Sequence, residues 1–284
     1  MVIVETARNL FRVVDVFYPE SREVTGLADA LAWNQIVHVR QTPTTLPAQR
    51  FATNYRPFET LLLDLSGDID ELFRQSHRTG RNQVRKAERL LDRIEVRRND
   101  DTCYCDFISV FNGLVAVKKH TEKISGKRLE SLKPFSDVFV VYLDGRPITC
   151  HLMIRDESIG RAGLLWSAST RFSGEDTPVR VASLNRWLHW YEMRLYKSEG
   201  LRVYDFGGIG SDTPERAGIA EFKLSFGGTP VLEHDYIITR LSGRLAVHGL
   251  FMLRRLRSEG WRNRPIAGKS INLEPQRFPV RGLS

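Results

Sequence analysis

With 284 residues, 42% of them hydrophobic and 27% charged, the chain has the make-up of a globular protein of one large or two modest domains. No run approaches the ~18 apolar residues of a membrane span. Three cysteines, Cys103, Cys105 and Cys150, are too few for a disulfide framework, and C-x-C alone is not zinc spacing. A net charge of +8 and a pI near 9.6 point to an anionic partner, which nucleic acid, a nucleotide-linked substrate or an acidic membrane surface would satisfy. Incidental or buried thiols, no metal site and a cytoplasmic location are expected. The opening M-V-I-V-E-T-A-R carries an early acid and no basic lead into an apolar run, unlike a secretory signal.

In chain order, residues 11–17 and 36–39 read as strands and 28–32 as a helical turn, with Pro43, Pro47 and Pro57 breaking the region into short pieces. From Phe58, F-E-T-L-L-L-D-L is a strand, and Ser66-Gly67-Asp68 ends it and can cap a helix over about 69–91. Phe73, His77, Gly80, Val84, Ala87 and Leu91 mark the packed face of that helix. Arg78, Arg81, Arg85 and Arg89 form a second stripe. A solvated basic face is the ordinary reason for such a stripe, yet only Glu88 and Asp92 are near enough to balance it, which favours a phosphate-bearing partner.

Residues 93–98 alternate as a strand, and Asn99-Asp100-Asp101 opens a helix through Phe107, Val110, Phe111, Leu114 and Val117, with Lys118, Lys119 and His120 at its end. An apolar run at 138–143, the hairpin signal Asp144-Gly145, a return at 148–154 and a third run at 163–169 predict a three-stranded antiparallel meander. Thr177 as N-cap and Pro178 at the first helical position start a long helix with core stripe Val181, Leu184, Leu188, Tyr191 and Leu195. Asn185, Trp187, His189 and Trp190 lie beside that stripe, where packing aromatics and a structural histidine are the commoner roles.

The stretch Y-D-F-G-G-I-G-S-D-T-P-E-R-A-G-I-A-E-F-K-L-S-F-G-G, Tyr204 to Gly228, organises the rest. A buried strand over 201–206 runs into Gly207-Gly208. A helix over 217–226 follows, with Ile219, Phe222 and Phe226 on one face and Gly227-Gly228 as its stop. A strand, a glycine turn and a short helix place polar groups at a strand end, where open sheets bind ligands. A solvated Lys223 is the plainer reading. A last strand over 231–239 carries Tyr236. An apolar helix at 245–256 ends in Arg254, Arg255 and Arg257, with Trp261 beyond. It either packs back on the fold or gives 245–264 a peripheral contact at the inner membrane face.

The element order, together with Y-D-F-G-G-I-G before G-I-A-E-F-K-L-S-F-G-G and R-T-G-R-N-Q-V-R-K-A-E-R at 78–89, resembles the GNAT superfamily of acyltransferases and, within it, the FemABX family. The likeness covers about 60–240. It implies an α+β (mixed α/β) GNAT fold in tandem: an incomplete GNAT-like half over 1–99 with the basic helix, an acyltransferase domain over 100–240, and a C-terminal helix and tail over 241–284 returning to the first half. FemABX enzymes use aminoacyl-tRNA to add amino acids to peptidoglycan precursors. The resemblance therefore implies a transferase forming an amide on an amine-bearing small-molecule or lipid-linked acceptor in cell-envelope or natural-product synthesis.

The family's F-K pair matches Phe222-Lys223, which implies that Lys223 stabilises the reacting acyl group and Phe222 lies beside it. Asp205 and Tyr204 are the candidates for proton transfer, Asp205 being a structural acid if its side of the strand is core. Trp187, His189 and Tyr236 are substrate-contact candidates, and Arg78, Arg81 and Arg85 would hold phosphate of donor or acceptor. No bound cofactor is expected. Coenzyme A-dependent GNAT enzymes carry a [QR]-x-x-G-x-[GA] phosphate loop, where this chain has R-F-S-G-E-D: Arg171 and Gly174 fit, but Asp176 brings negative charge. Aminoacyl-tRNA is accordingly the donor implied ahead of acyl-CoA. The alternatives are an acyl-CoA- or acyl-carrier-protein-dependent N-acyltransferase acting on an amino sugar in surface-polysaccharide synthesis, and a non-catalytic GNAT-shaped module that binds RNA or a membrane.

Overall fold

The structure is a computed structural model describing residues 1–8, 11–45, 52–117, 123–171, 177–210 and 213–239. The chain divides into a unit over 1–244 and a second over 245–284. The helix and membrane contact expected at 245–264 lie outside the described residues, as do Lys118, Lys119, His120, Gly174 and Asp176.

The elements are β1 (Val2–Arg8), β2 (Phe11–Phe17), α1 (Ser21–Asp29), β3 (Gln35–Thr42), β4 (Ala52–Asp64), α2 (Ile69–Gln75), α3 (Arg78–Glu88), β5 (Ile94–Arg98), α4 (Asp101–Val117), α5 (Gly126–Leu132), β6 (Ser136–Leu143), β7 (Arg146–Asp156), β8 (Arg161–Ser169), α6 (Pro178–Ser198), β9 (Val203–Gly208), α7 (Pro214–Leu224) and β10 (Thr229–Thr239). Among the described residues all ten strands join one sheet, ordered β1-β2-β3-β10-β4-β9-β8-β7-β6-β5. β2–β3 and β8–β9 are parallel and the other pairs antiparallel. β10 inserts between β3 and β4, so the last described strand completes the N-terminal half.

Alternation in β6 shows why its sequence is apolar from Val138 to Leu143. Phe139, Val141 and Leu143 face the cluster holding α3 and α6, while Val138, Val140 and Tyr142 face the one holding α4 and α5. Both faces of the sheet are covered there, which suits apolar side chains at these six positions. The meander forms as expected, with Asp144 and Gly145 at φ 51° and 74° in the β6–β7 turn. Thr177 caps α6, its hydroxyl accepting from the Arg180 amide. Cys103 and Cys150 are buried and Cys105 is exposed; all three are free.

Several boundaries move. The helix expected over 69–91 is two helices, because Ser76 turns extended (ψ 161°) and its hydroxyl bonds the Phe73 carbonyl. The break lets the His77 amide bond the Ser225 carbonyl (2.9 Å), tying the helix pair to α7. β4 runs back through Pro57, which costs no ladder bond on its β9 side because β9 joins β4 only from Thr60 onward. Tyr191, placed in the core stripe of α6, is 36% exposed, whereas Arg186, His189 and Glu192 are buried. The helix is covered on more sides than an amphipathic pattern allows, since α3 packs on it as well as the sheet. Among the described residues no helix is long and apolar enough to cross a membrane.

Candidate active site

The site begins with a strand pair that comes apart. β8 and β9 are joined at Arg161–Val203, Ala162–Tyr204 and Gly163–Asp205 only. Further on, β8 follows β7 as far as Ser169, while β9 follows β4 as far as the Thr60–Gly208 pair. Gly207 stands where they part, at φ 68°; a Cβ there would lie 2.8 Å from the Leu164 carbonyl oxygen, so the position excludes any side chain. A cavity of about 770 Å³ is lined by Leu164 to Ser169 of β8, Gly208 of β9, Asn185 and His189 of α6, and Phe222 and Lys223 of α7.

Thr213 caps α7, its hydroxyl accepting from the Arg216 amide, and Pro214 begins the helix, which fixes the direction of Lys223. Nζ of Lys223 donates to the Gly208 carbonyl at 2.8 Å, leaving two of its three protons for another acceptor. Burial lowers the ammonium to about 8, with Asp205 opposing that shift, so the group is mostly charged at neutral pH. Phe222 is half-buried beside it and carries Arg186 over its ring at 4.4 Å. A cation held by backbone at the mouth of two parting strands can meet a developing oxyanion without rearranging.

Asp205 has a different place. It is fully buried and lies in a row crossing five neighbouring strands: Gln41 on β3, Glu233 on β10, Thr60 on β4, Asp205 on β9 and Arg161 on β8. Its Oδ2 accepts from Arg161 Nη2 (2.7 Å) and Nε (3.2 Å) and from Gln41 (2.8 Å). Oδ1 accepts from the Thr60 hydroxyl and the Gly207 amide. Five donors leave no lone pair for a substrate proton. Of the two roles open to it, Asp205 takes the structural one, holding the glycine turn and the sheet together.

Tyr204 points to the opposite face, as alternation requires, and is also fully buried. Its hydroxyl donates to Glu192 Oε2 and lies 2.7 Å from His189 Nδ1. Burial, then Glu192, raise that hydroxyl well above its ordinary value, so it is a neutral phenol. His189 is pushed well below the ordinary imidazole value by burial and by His151, Lys223 and Arg186. Tyr204 has no place on the cavity wall and meets it only through His189.

Three arginines assigned to phosphate from sequence do not line the cavity. Arg81 is half-buried and binds the Arg74 carbonyl (2.7 Å) and the Ser76 carbonyl, stapling the break between α2 and α3; Arg78 and Arg85 are exposed on α3. Trp187 and Tyr236 also lie away from the cavity, Trp187 in the α6 core and Tyr236 in the β3–β10 core with its ring 5.2 Å from Tyr55. Sequence reasoning missed Arg40, Arg128 and Trp166, which do line it. Asp15 holds both arginines, at 2.8 Å and 2.6 Å. Burial works against that carboxylate, but His38, Arg40 and Arg128 keep it far below the ordinary range. Among the described residues the lining has, with Arg171 and Lys223, four basic side chains against one acid, Asp235, which pairs with Arg56. Arg40 and Arg128 come from segments with no motif, so only the tertiary fold reveals them. Arg186 was missed too. It is buried and bound to Gln83 and Ser225, with no carboxylate partner among the described residues, and burial lowers it to about 10.

A sheet opening between two parallel strands beside a capped helix defines a GNAT-like fold, and the α+β architecture is the one the sequence predicts. The structure is similar to that of FemX, at 13% identity and a TM-score of 0.59, covering 87% of this chain and 85% of that one. It is also similar to the C-terminal domain of a putative lysylphosphatidylglycerol synthetase from Agrobacterium fabrum, at 14% identity, a TM-score of 0.52, and coverage of 88% and 84%. L-PGS from Bacillus licheniformis gives 13%, 0.52, and 89% and 84%. No family model matches the chain, and no curated protein does.

Proposed function

We propose that the protein is an N-acyltransferase that moves an aminoacyl group from aminoacyl-tRNA to an amine. The observation that carries this reading is the position of Lys223, a buried ammonium fixed on Gly208 where β8 and β9 separate. Attack of an amine on an ester carbonyl puts negative charge on the carbonyl oxygen, and a preorganised donor there is worth roughly 10²–10³ in rate. The basic lining suits an acceptor or donor that carries phosphate. The fold likeness to FemX and to a lysylphosphatidylglycerol synthetase domain supports an aminoacyl group and an acceptor that is either a small amine or lipid-linked. A cytoplasmic location belongs to the same proposal.

The test is transfer itself. Purified protein is incubated with a charged tRNA pool or with acyl-CoA, together with bacterial extract as a source of acceptors, and products are read by mass spectrometry. The expected product is an amide whose formation stops with ribonuclease and with Lys223→Met. Transfer that is indifferent to ribonuclease and competed by free coenzyme A would replace the donor with acyl-CoA. Salt-sensitive RNA binding with no transfer would overturn the enzyme.

A further inference from the structure

Under the sheet, next to the cavity, lies a closed chain of buried polar side chains that neither the oxyanion nor the binding steps use. His189 Nδ1 meets Tyr204 Oη (2.7 Å), Tyr204 Oη donates to Glu192 Oε2, Glu192 Oε1 meets His151 Nδ1 (2.8 Å), and His151 Nε2 meets the Asn185 amide (3.1 Å). His151 and Glu192 are fully buried, while the two ends of the chain, His189 and Asn185, line the cavity. We propose that this chain is a proton relay: His189 Nε2 accepts the proton released by the attacking amine, and Tyr204 and Glu192 take up the charge. The proposal rests on the acyltransfer reading above.

Donor counting fixes the resting state. Tyr204 has one proton and gives it to Glu192, so His189 Nδ1 is the donor to Tyr204 and Nε2 is the unprotonated ring atom. Thr149 has one proton as well, yet lies 3.1 Å from the Ala168 carbonyl and 2.8 Å from Asn185 Oδ1. Exchanging the two ends of the Asn185 amide satisfies every group, with Asn185 donating to Thr149 and to His151 Nε2, and His151 Nδ1 donating to Glu192.

The reaction then balances. As the C–N bond forms, the amine proton moves to Nε2, the Nδ1 proton to Tyr204, and the Tyr204 proton to Glu192. As the C–O bond of the ester breaks, the same path in reverse returns a proton to the leaving hydroxyl, yielding amide and alcohol. The groups facing His189 are Glu192 and Arg186 on α6, His151 on β7, Tyr204 on β9 and Lys223 on α7, and burial with the cationic neighbours keeps its ring neutral and ready to accept. His151 Nδ1 and Glu192 Oε1 lie 2.8 Å apart, closer than the ~3.3 Å expected between ligands each 2.0–2.1 Å from one tetrahedral ion, which favours a shared proton over a metal.

Two readouts test it. Imidazole ¹H–¹⁵N NMR of the whole protein from pH 5.5 to 8.5 should show His189 with its proton on Nδ1 and no titration, and Tyr204→Phe should redistribute that proton. With a charged tRNA pool as donor and glycinamide as the probe amine, His189→Gln, Tyr204→Phe and Glu192→Gln should each lower kcat about 10²–10³-fold. KM should stay within about threefold, and Glu192→Asp should recover part of the loss. The Tyr204→Phe change removes one oxygen from a filled site, and Glu192→Gln keeps the shape, so at least one variant stays folded. A proton on Nε2, losses confined to KM, a kcat within threefold of wild type, or one equivalent of tightly held divalent ion on these residues would overturn the relay. Wild-type protein that transfers nothing would overturn the acyltransfer reading instead, and the tautomer would still decide whether Nε2 is open.

Discussion

Lys223→Met separates the functional cost of the ammonium from its structural role. Burial lowers Lys223 from 10.5 to about 8, so at neutral pH the folded state holds its charge at a cost of roughly 3 kcal/mol, at 1.36 kcal/mol per pH unit. Methionine removes that cost but leaves the Gly208 carbonyl without its donor, a loss of about 1–3 kcal/mol. The two nearly cancel, so the variant should match wild type or exceed it by up to about 2 kcal/mol at pH 7.

The sign with pH follows from proton counts. Between the folded value near 8 and the unfolded value of 10.5 the unfolded chain binds more protons, so wild-type stability rises with pH across that window. The advantage of methionine should therefore be full below pH 8 and fade toward 10.5. Urea unfolding at pH 7, 8, 9 and 10 reads this directly, and the same samples should show transfer reduced at least 10²-fold. A loss of more than about 3 kcal/mol at pH 7, or a difference that does not change with pH, would refute a buried ammonium. Unchanged turnover would refute its role.

Gly207→Ala forces a Cβ against the Leu164 carbonyl at φ 68°, so thermal melting should show a loss of at least about 2 kcal/mol and transfer should fall with it. Asp205→Asn leaves Arg161 facing an amide in the middle of the sheet. Chemical unfolding should show a loss of about 3–5 kcal/mol, and a small change would mean that the five-strand row is not holding the sheet. Arg78→Ala with Arg85→Ala, both on an exposed face outside the cavity, should leave stability within about 0.5 kcal/mol. If α3 carries tRNA phosphate, that double variant should raise KM for charged tRNA and flatten its salt dependence by about one unit per lost contact while kcat holds.

Much of the frame was written in local pattern. The Asp144-Gly145 turn, the Thr177-Pro178 start and the glycines after α7 each have a backbone reason that acts within a few residues. The opposite orientations of Tyr204 and Asp205 followed from strand alternation, but not what each would meet. Asp205 meets Arg161, Gln41 and Thr60, which sequence separates from it by 44 to 164 residues. Glu192 carries no motif in the sequence, and only the docking of α6 on β7 and β9 makes it an interior carboxylate, bound by His151 and Tyr204. The split at Ser76 escaped notice because the apolar period runs on through it, and the bond that pays for the break comes from Ser225. Contacts between distant segments, such as Asp15 with Arg40 and Arg128, leave no mark on a single chain of letters.

The central claim is that the acyl carbonyl is held between β8 and β9 against Lys223. A crystal structure with a phosphonate analogue of the tetrahedral intermediate, built on 3′-aminoacyl adenosine, tests it most directly. A phosphonate oxygen is expected about 2.7–3.1 Å from Lys223 Nζ, with Phe222 beside the amino-acid portion. An analogue bound elsewhere, with Nζ still engaged only by the Gly208 carbonyl, would contradict it.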